Sequence, residues 1–149
     1  MLQQFMTFYI DEQLYGMDVM NIQEVTKKVK ITPLMRSMPE IIGLINLRGR
    51  VATGIELGRV FDKAYKVPED FMTIVCEYDG DLYSLVVDRV GDVIHLENDH
   101  VSTKEVSATK DNCVGISGIF QTEDKLMRVV DIKTILVKLS DENNKGEVA

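Results

Sequence analysis

The segment His95-Leu96-Glu97-Asn98-Asp99-His100 gathers more metal-ligating and proton-transferring side chains than any other part of the chain. A closed zinc site needs donors converging on a tetrahedron, and helical zinc motifs place their histidines at i and i+4. His95 and His100 stand five apart, which suits neither one face of a helix nor one face of a strand. No cysteine or further histidine lies close in sequence to complete the set. The segment reads as a solvated loop at the end of a strand. A metal-dependent enzyme using His95 and His100 stays as an alternative, and no metal or cofactor is expected.

Other chemistries find less. Glycines at 43, 49, 54 and 58 do not spell GxxxxGK[ST], and no helix-forming run follows a buried strand, so a phosphate-cradling loop is not expected. GxSxG is absent. Ser84 and Ser117 sit within strand-like runs as packing or edge residues. Cys76 lies in the apolar run Phe71–Cys76 and Cys113 follows a polar stretch, a contrast that implies free thiols and a reducing cytoplasm. Met17, Met20, Met35 and Met38 read first as core filler, some of them as adaptable surface. No catalytic residues are assigned.

Charge narrows the partners. With 17 Lys and Arg against 24 Asp and Glu, the formal net charge is −7. Nucleic acid and anionic membranes require concentrated cations, so neither is expected as a partner. The cluster Lys27, Lys28, Lys30 reads as a solvated strand face. No stretch is apolar for long enough to span a bilayer, and the N-terminus lacks the charge and cleavage pattern of a signal peptide.

The elements that must position these residues are mostly strands. Phe5–Ile10 and Leu14–Val19 flank a turn at Asp11-Glu12-Gln13, and Met72–Tyr78 and Leu82–Val87 flank Asp79-Gly80-Asp81. Arg48-Gly49-Arg50 reads as a tight turn between Ile41–Leu47 and Val51–Leu57. Asp18 is a candidate cap for a short helix through Val25. Asp131 is another for a helix through Leu139, where Ile132, Ile135, Leu136 and Leu139 form an apolar stripe. The tail at 140–149 lacks such a pattern and is expected to be disordered.

The chain also repeats itself. An offset of 68 pairs Phe8 with Cys76, Leu14-Tyr15 with Leu82-Tyr83, Ile22 with Val90 and Val25 with Val93. An offset of 75 pairs Gly43 with Gly118 and Ile55-Glu56-Leu57 with Val130-Asp131-Ile132, so seven residues are inserted between Val93 and Gly118. Two β units this small must share a core. The expected fold is mainly β: two small barrels over residues 1–139, roughly 1–67 and 68–139.

Several stretches resemble the CheW family of chemotaxis coupling proteins. Tyr15-Gly16-Met17-Asp18 leading to Ile22-Gln23-Glu24-Val25 is similar to the family's opening pattern. Ile31-Thr32-Pro33 and Pro39 fit its proline-containing segment. Gly43-Leu44-Ile45-Asn46-Leu47-Arg48-Gly49 resembles G-x-x-N-L-R-G, and Val86-Val87-Asp88-Arg89-Val90-Gly91-Asp92-Val93 resembles its second-half element. Gly118 and Val129-Val130-Asp131-Ile132 fit the last strand before a closing helix. The match runs in order over about residues 5–139.

The resemblance implies two SH3-like five-stranded barrels, which may exchange strands, with a groove between them. It also implies a non-enzymatic adaptor in the cytoplasm, recruited to receptor arrays at the inner membrane. Its partners would be the CheW-like regulatory domain of the histidine kinase CheA and the tip of a chemoreceptor. Carried over residue by residue, the receptor-binding positions are Ile22, Glu24, Gly43 and Arg48, and kinase-binding residues are unassigned. For Arg48 the competing reading is that it only shapes its turn, and for Gly43 that its backbone alone matters. The strand Val51–Gly58 departs from the family by lacking its proline and carrying Gly54, which would alter an exposed edge, so no contact is transferred to it. Alternatives are a CheW-like scaffold of a pilus, gliding or other pathway, and an unrelated double-barrel ligand carrier.

Overall fold

Alternating apolar and polar residues build strands that bury one face each, and here most strands bury part of both. The computed structural model describes residues 2–27, 29–34, 38–97, 115–121 and 125–148. In chain order the strands are β1 (Leu2–Ile10), β2 (Gln13–Asp18), β3 (Ile22–Lys27), β4 (Ile31–Thr32), β5 (Ile41–Leu47) and β6 (Arg50–Glu56). After helix α1 (Leu57–Phe61) come β7 (Met72–Tyr78), β8 (Asp81–Val87), β9 (Arg89–Glu97), β10 (Ile116–Gln121), β11 (Leu126–Val130) and helix α2 (Ile132–Val148). One sheet runs β10-β11-β2-β1-β9 and the other β3-β7-β8-β6-β5-β4. Neither closes into a complete barrel among the described residues, and the second has six strands because the two-residue β4 adds to its edge.

The duplication is written into the strand registers. Phe8 faces Tyr15 and Ile10 faces Gln13 in the first hairpin, while Cys76 faces Tyr83 and Tyr78 faces Asp81 in the other, each residue displaced by 68. Ile41↔Ile55 and Gly43↔Gly54 become Ile116↔Val130 and Gly118↔Val129 at the offset of 75, and even the register shift between the two pairs is reproduced. The parallel pairs Ala52↔Leu82 and Gly54↔Ser84 correspond to Met127↔Leu14 and Val129↔Gly16. Ile22↔Cys76 and Val25↔Ile74 correspond to Val90↔Phe8 and Val93↔Met6. Helices α1 and α2 begin at equivalent positions, Leu57 and Ile132.

The repeats exchange strands. The five-stranded sheet takes β1 and β2 from the first repeat and β9 to β11 from the second; the other takes β3 to β6 from the first and β7 and β8 from the second. A boundary near residue 67 therefore divides the sequence but not the sheets. Phe8, Ile10, Tyr15 and Met17 of one sheet meet Ile55, Ile74, Cys76, Leu85 and Val87 of the other in a central apolar cluster, with Ile132, Ile135, Leu136 and Leu139 of α2 packed into it. The alternate side chains form two smaller clusters, Phe5, Leu14, Leu96, Met127 and Val129 in one sheet and Ala52, Val75 and Leu82 in the other.

Three local expectations change. Asp18 accepts a hydrogen bond from the Met20 N–H at 2.9 Å, as a cap should, but only the 3-10 turn Val19–Asn21 follows before β3 begins. The β-branched residues Ile22, Val25 and Thr26 gain more by pairing with β7 than a short helix could offer. At the other end, α2 runs from Ile132 to Val148. Four buried apolar residues anchor the first two turns, and extending a nucleated helix costs little. The strand carrying Gly54 is also central, lying between β8 and β5, so its missing proline alters no edge. A five-residue helix, α1, follows it where none was expected.

The crossover from β8 to β9 is pinned by Asp88. Its carboxylate accepts the Tyr65 hydroxyl at 2.5 Å and the Asp11 N–H at 2.9 Å, and its own N–H donates to the Tyr9 carbonyl. Tyr65 is buried, with its ring over Gly58 where any Cβ would collide. Burial, followed by the Asp88 contact, raises its phenol above the ordinary value near 10. Removing this charge-assisted bond in Tyr65→Phe is expected to lower the unfolding free energy by about 1.5–3 kcal/mol, read by urea denaturation at pH 7. Because the folded phenol holds its proton more tightly, its contribution is complete below pH about 10 and declines above it. The alkaline loss of stability should therefore be shallower in Tyr65→Phe than in the parent.

Gly43 is buried in β5 beneath β4 at a φ of 150°, and an added Cβ would run into the Thr32 carbonyl oxygen. Backbone cannot yield as a flexible side chain can. Gly43→Ala is expected to destabilise the fold by roughly 1–3 kcal/mol and lower the melting temperature by several degrees, measured by circular dichroism.

Candidate functional site

The segment Asn46-Leu47-Arg48-Gly49 builds a projecting turn. β5 and β6 are joined by two residues with positive φ, Arg48 at 53° and Gly49 at 87°. This is the geometry whose twist matches paired strands, and glycine meets it without steric cost. The Asn46 Oδ1 accepts the Gly49 N–H at 2.9 Å and braces the turn. Leu47 packs back against the small cluster around Ala52, Val75 and Leu82. Arg48 is left at the tip with a side chain 82% exposed. A non-glycine residue in this conformation stores about 1–2 kcal/mol of strain, and nothing in the interior requires the guanidinium.

What the guanidinium meets is Glu24. Arg48 Nη2 is ion-paired and hydrogen-bonded to Glu24 Oε2. Glu24 lies on β3, three strands away from β6 in the sheet order, so the sheet must curl to bring them together. Beside them, Glu77 on β7 accepts the Gln23 amide at 2.6 Å and faces Arg50 at 3.8 Å. Exposed ion pairs of this kind add little to stability.

Of the four assigned positions, the structure joins Glu24 and Arg48 directly. Ile22 lies two residues before Glu24, half-buried against the central cluster, with the 87%-exposed Met20 on the turn that precedes it. Gly43 stands apart as a backbone requirement, facing Gly54 across the β5–β6 ladder. Gln23, Arg50 and Glu77 went unassigned in the sequence. Their strands could be identified there, but only the curl of the sheet brings them to this rim.

The remaining candidates take ordinary positions. His95 is exposed on β9 and not in a loop, with Nε2 at 2.9 Å from the Gln4 amide nitrogen across the strand pair; His100 lies outside the described residues. No grouping of three or more His, Cys, Asp or Glu with metal-binding geometry occurs among the described residues. Cys76 is buried in β7, and burial pushes its thiol up to about 12, so it stays protonated at neutral pH. Ser84 is buried in β8 and Ser117 exposed in β10. Met17 and Met38 are core residues, while Met35, Lys28 and Cys113 lie outside the described residues. Among those residues, no helix is long and apolar enough to cross a membrane.

Known proteins are similar to this chain in sequence and in fold. Chemotaxis protein CheW of Bacillus subtilis (strain 168) is 25% identical over 142 residues, covering 95% of this chain and 91% of the relative. Chemotaxis protein CheW of Thermotoga maritima is 28% identical, covering 91% and 88%. The crystal structure of scaffolding protein TtCheW from Thermoanaerobacter tengcongensis matches with a TM-score of 0.78 at 30% identity, covering 87% of this chain and 89% of that one. Its fold carries two SH3-like subdomains, to which the two curled sheets correspond. With the model of the CheW-like domain matching residues 4–140, a span that takes in both sheets, the chain belongs to the CheW family.

Proposed function

We propose that this protein is a non-enzymatic adaptor that couples the histidine kinase CheA to chemoreceptors, working in the cytoplasm at receptor arrays. The observation that carries the reading is the Arg48–Glu24 pair. Two residues far apart in sequence are brought to one rim, on a strained turn, with the cation mostly exposed. A fold that needed only a tight turn would do as well with asparagine or glycine at position 48.

Recognition would combine an apolar contact with a charged one. Ile22 offers apolar surface at the start of β3, and Arg48 offers a planar fork able to engage a receptor carboxylate or carbonyl once Glu24 is partly displaced. An amphipathic receptor helix supplies both kinds of group from one face. Glu24 holds the guanidinium in place beforehand, so less side-chain freedom is lost on binding. Gly43 serves the same site from beneath by keeping β4 close to β5.

Arg48→Ala is expected to weaken binding of a receptor-tip fragment roughly ten- to a hundredfold, equivalent to about 1.5–3 kcal/mol for one charge-assisted contact. Kinase affinity and melting temperature should stay nearly unchanged. Calorimetric titration with both partners, on one preparation, reads all three quantities. A variant that melts lower and loses both partners together would make Arg48 a turn residue, and unchanged receptor affinity would remove it from the site.

A further inference from the structure

The strand exchange between repeats has a consequence for association. Strand pairs β1–β9, β2–β11, β3–β7 and β6–β8 each join one repeat to the other. Covalently, the repeats are joined only through the segment between α1 and β7. That segment is anchored at both ends by buried aromatics, Tyr65 and Phe71. The hydroxyl of Tyr65 is held by Asp88 of the second repeat, so this contact is also independent of which copy supplies that repeat. Between the anchors stand residues 66–70, where Lys66, Glu69 and Asp70 are exposed and Val67 alone packs against the central cluster.

We infer that two copies of this chain can exchange repeats, each supplying residues up to Tyr65 to complete both sheets with residues from Phe71 onward of the other. Every strand pair, the central cluster and the Tyr65–Asp88 bond are preserved in such a dimer. Only the path of residues 66–70 differs. The partner is thus a second copy of this chain, and the surface it fits is the full interface between repeats. What keeps the single chain closed is the tether, whose effective concentration is about millimolar for a short flexible linker. The exchanged dimer should therefore gather when unfolded chains refold at concentrations approaching about 1 mM, and become trapped once folded.

The cross-repeat neighbours Gln4 and His95 allow a direct test, since both are exposed and directly opposed on β1 and β9. In a Cys113→Ser background, a Gln4→Cys chain and a His95→Cys chain are denatured together, refolded at low and high concentration, and oxidised. A disulfide-linked heterodimer that rises with refolding concentration supports exchange. It should be absent when Gln4→Cys is paired with Lys133→Cys, and its mass by light scattering should be twice that of the monomer. As a second variant, deleting residues 67–69 leaves two residues between the anchors and is expected to give a dimer with parental circular dichroism at all concentrations. Equal cross-linking in the control pair, or monomer alone from both the co-refolded chains and the deletion variant, would overturn the inference. If the deletion variant does not fold, the concentration dependence in the co-refolded pair decides.

Discussion

The exchange of strands between the two repeats is the constraint on which the rest of this structure depends. Each repeat carries a hairpin whose outer edges find partners only on the other repeat, through antiparallel pairs on one side and parallel pairs on the other. An unpaired strand edge leaves a row of backbone groups unsatisfied, and a half-built sheet leaves its apolar face in water. Neither repeat can meet both demands alone. The central cluster, drawn from both sheets and closed by α2, forms only when both repeats are in place. A chain of 149 residues thereby shares one central cluster between its repeats, where two separate units of its halves' size would be marginal.

The same exchange fixes the corners of the two sheets. Because the two crossovers carry the chain from one sheet to the other, they occupy fixed corners, and each is held by an aspartate. Asp18 accepts from Gln3 and from the Met20 N–H, and Asp88 from Tyr65 and the Asp11 N–H. With corners and core fixed in this way, the β5–β6 turn projects from a rigid base. Its cation is poised by Glu24 and not by its own backbone alone. Family membership and this geometry describe a scaffold.

The repeats are equal in register but not in filling. Phe8, Tyr15 and Phe61 stack in succession, with ring centroids 5.6 and 5.1 Å apart. The equivalent positions hold Cys76, Tyr83 and Leu136, a smaller set, and Tyr83 is only half-buried where Tyr15 is buried. Similarly, Phe5 and Met127 of one sheet correspond to Thr73 and Ala52 of the other. Duplicated backbones thus tolerate divergent packing, because strand pairing depends on main-chain groups common to all residues while volume must match only locally.

Much of this was legible in the sequence. Period-two alternation and paired turn residues located both hairpins to within three residues, and the offset of 68 matches their registers. The motif around Asn46 and Gly49 marked a tight turn, since both residue types favour one locally. Local reading failed where tertiary pairing outweighed it, at Asp18–Val25, where β7 drew a helical spacing into a strand. Which repeat completes which sheet could not be read, because two repeats with the same registers can pair within themselves or with each other through the same contacts. Nor could the sequence place Glu77 between Gln23 and Arg50, since that meeting depends on the curl of a whole sheet. Residue type and spacing determined the strands, the turns and the repeat; the closing of chain upon chain, a matter of shared core and satisfied edges, decided which residues meet across the sheets.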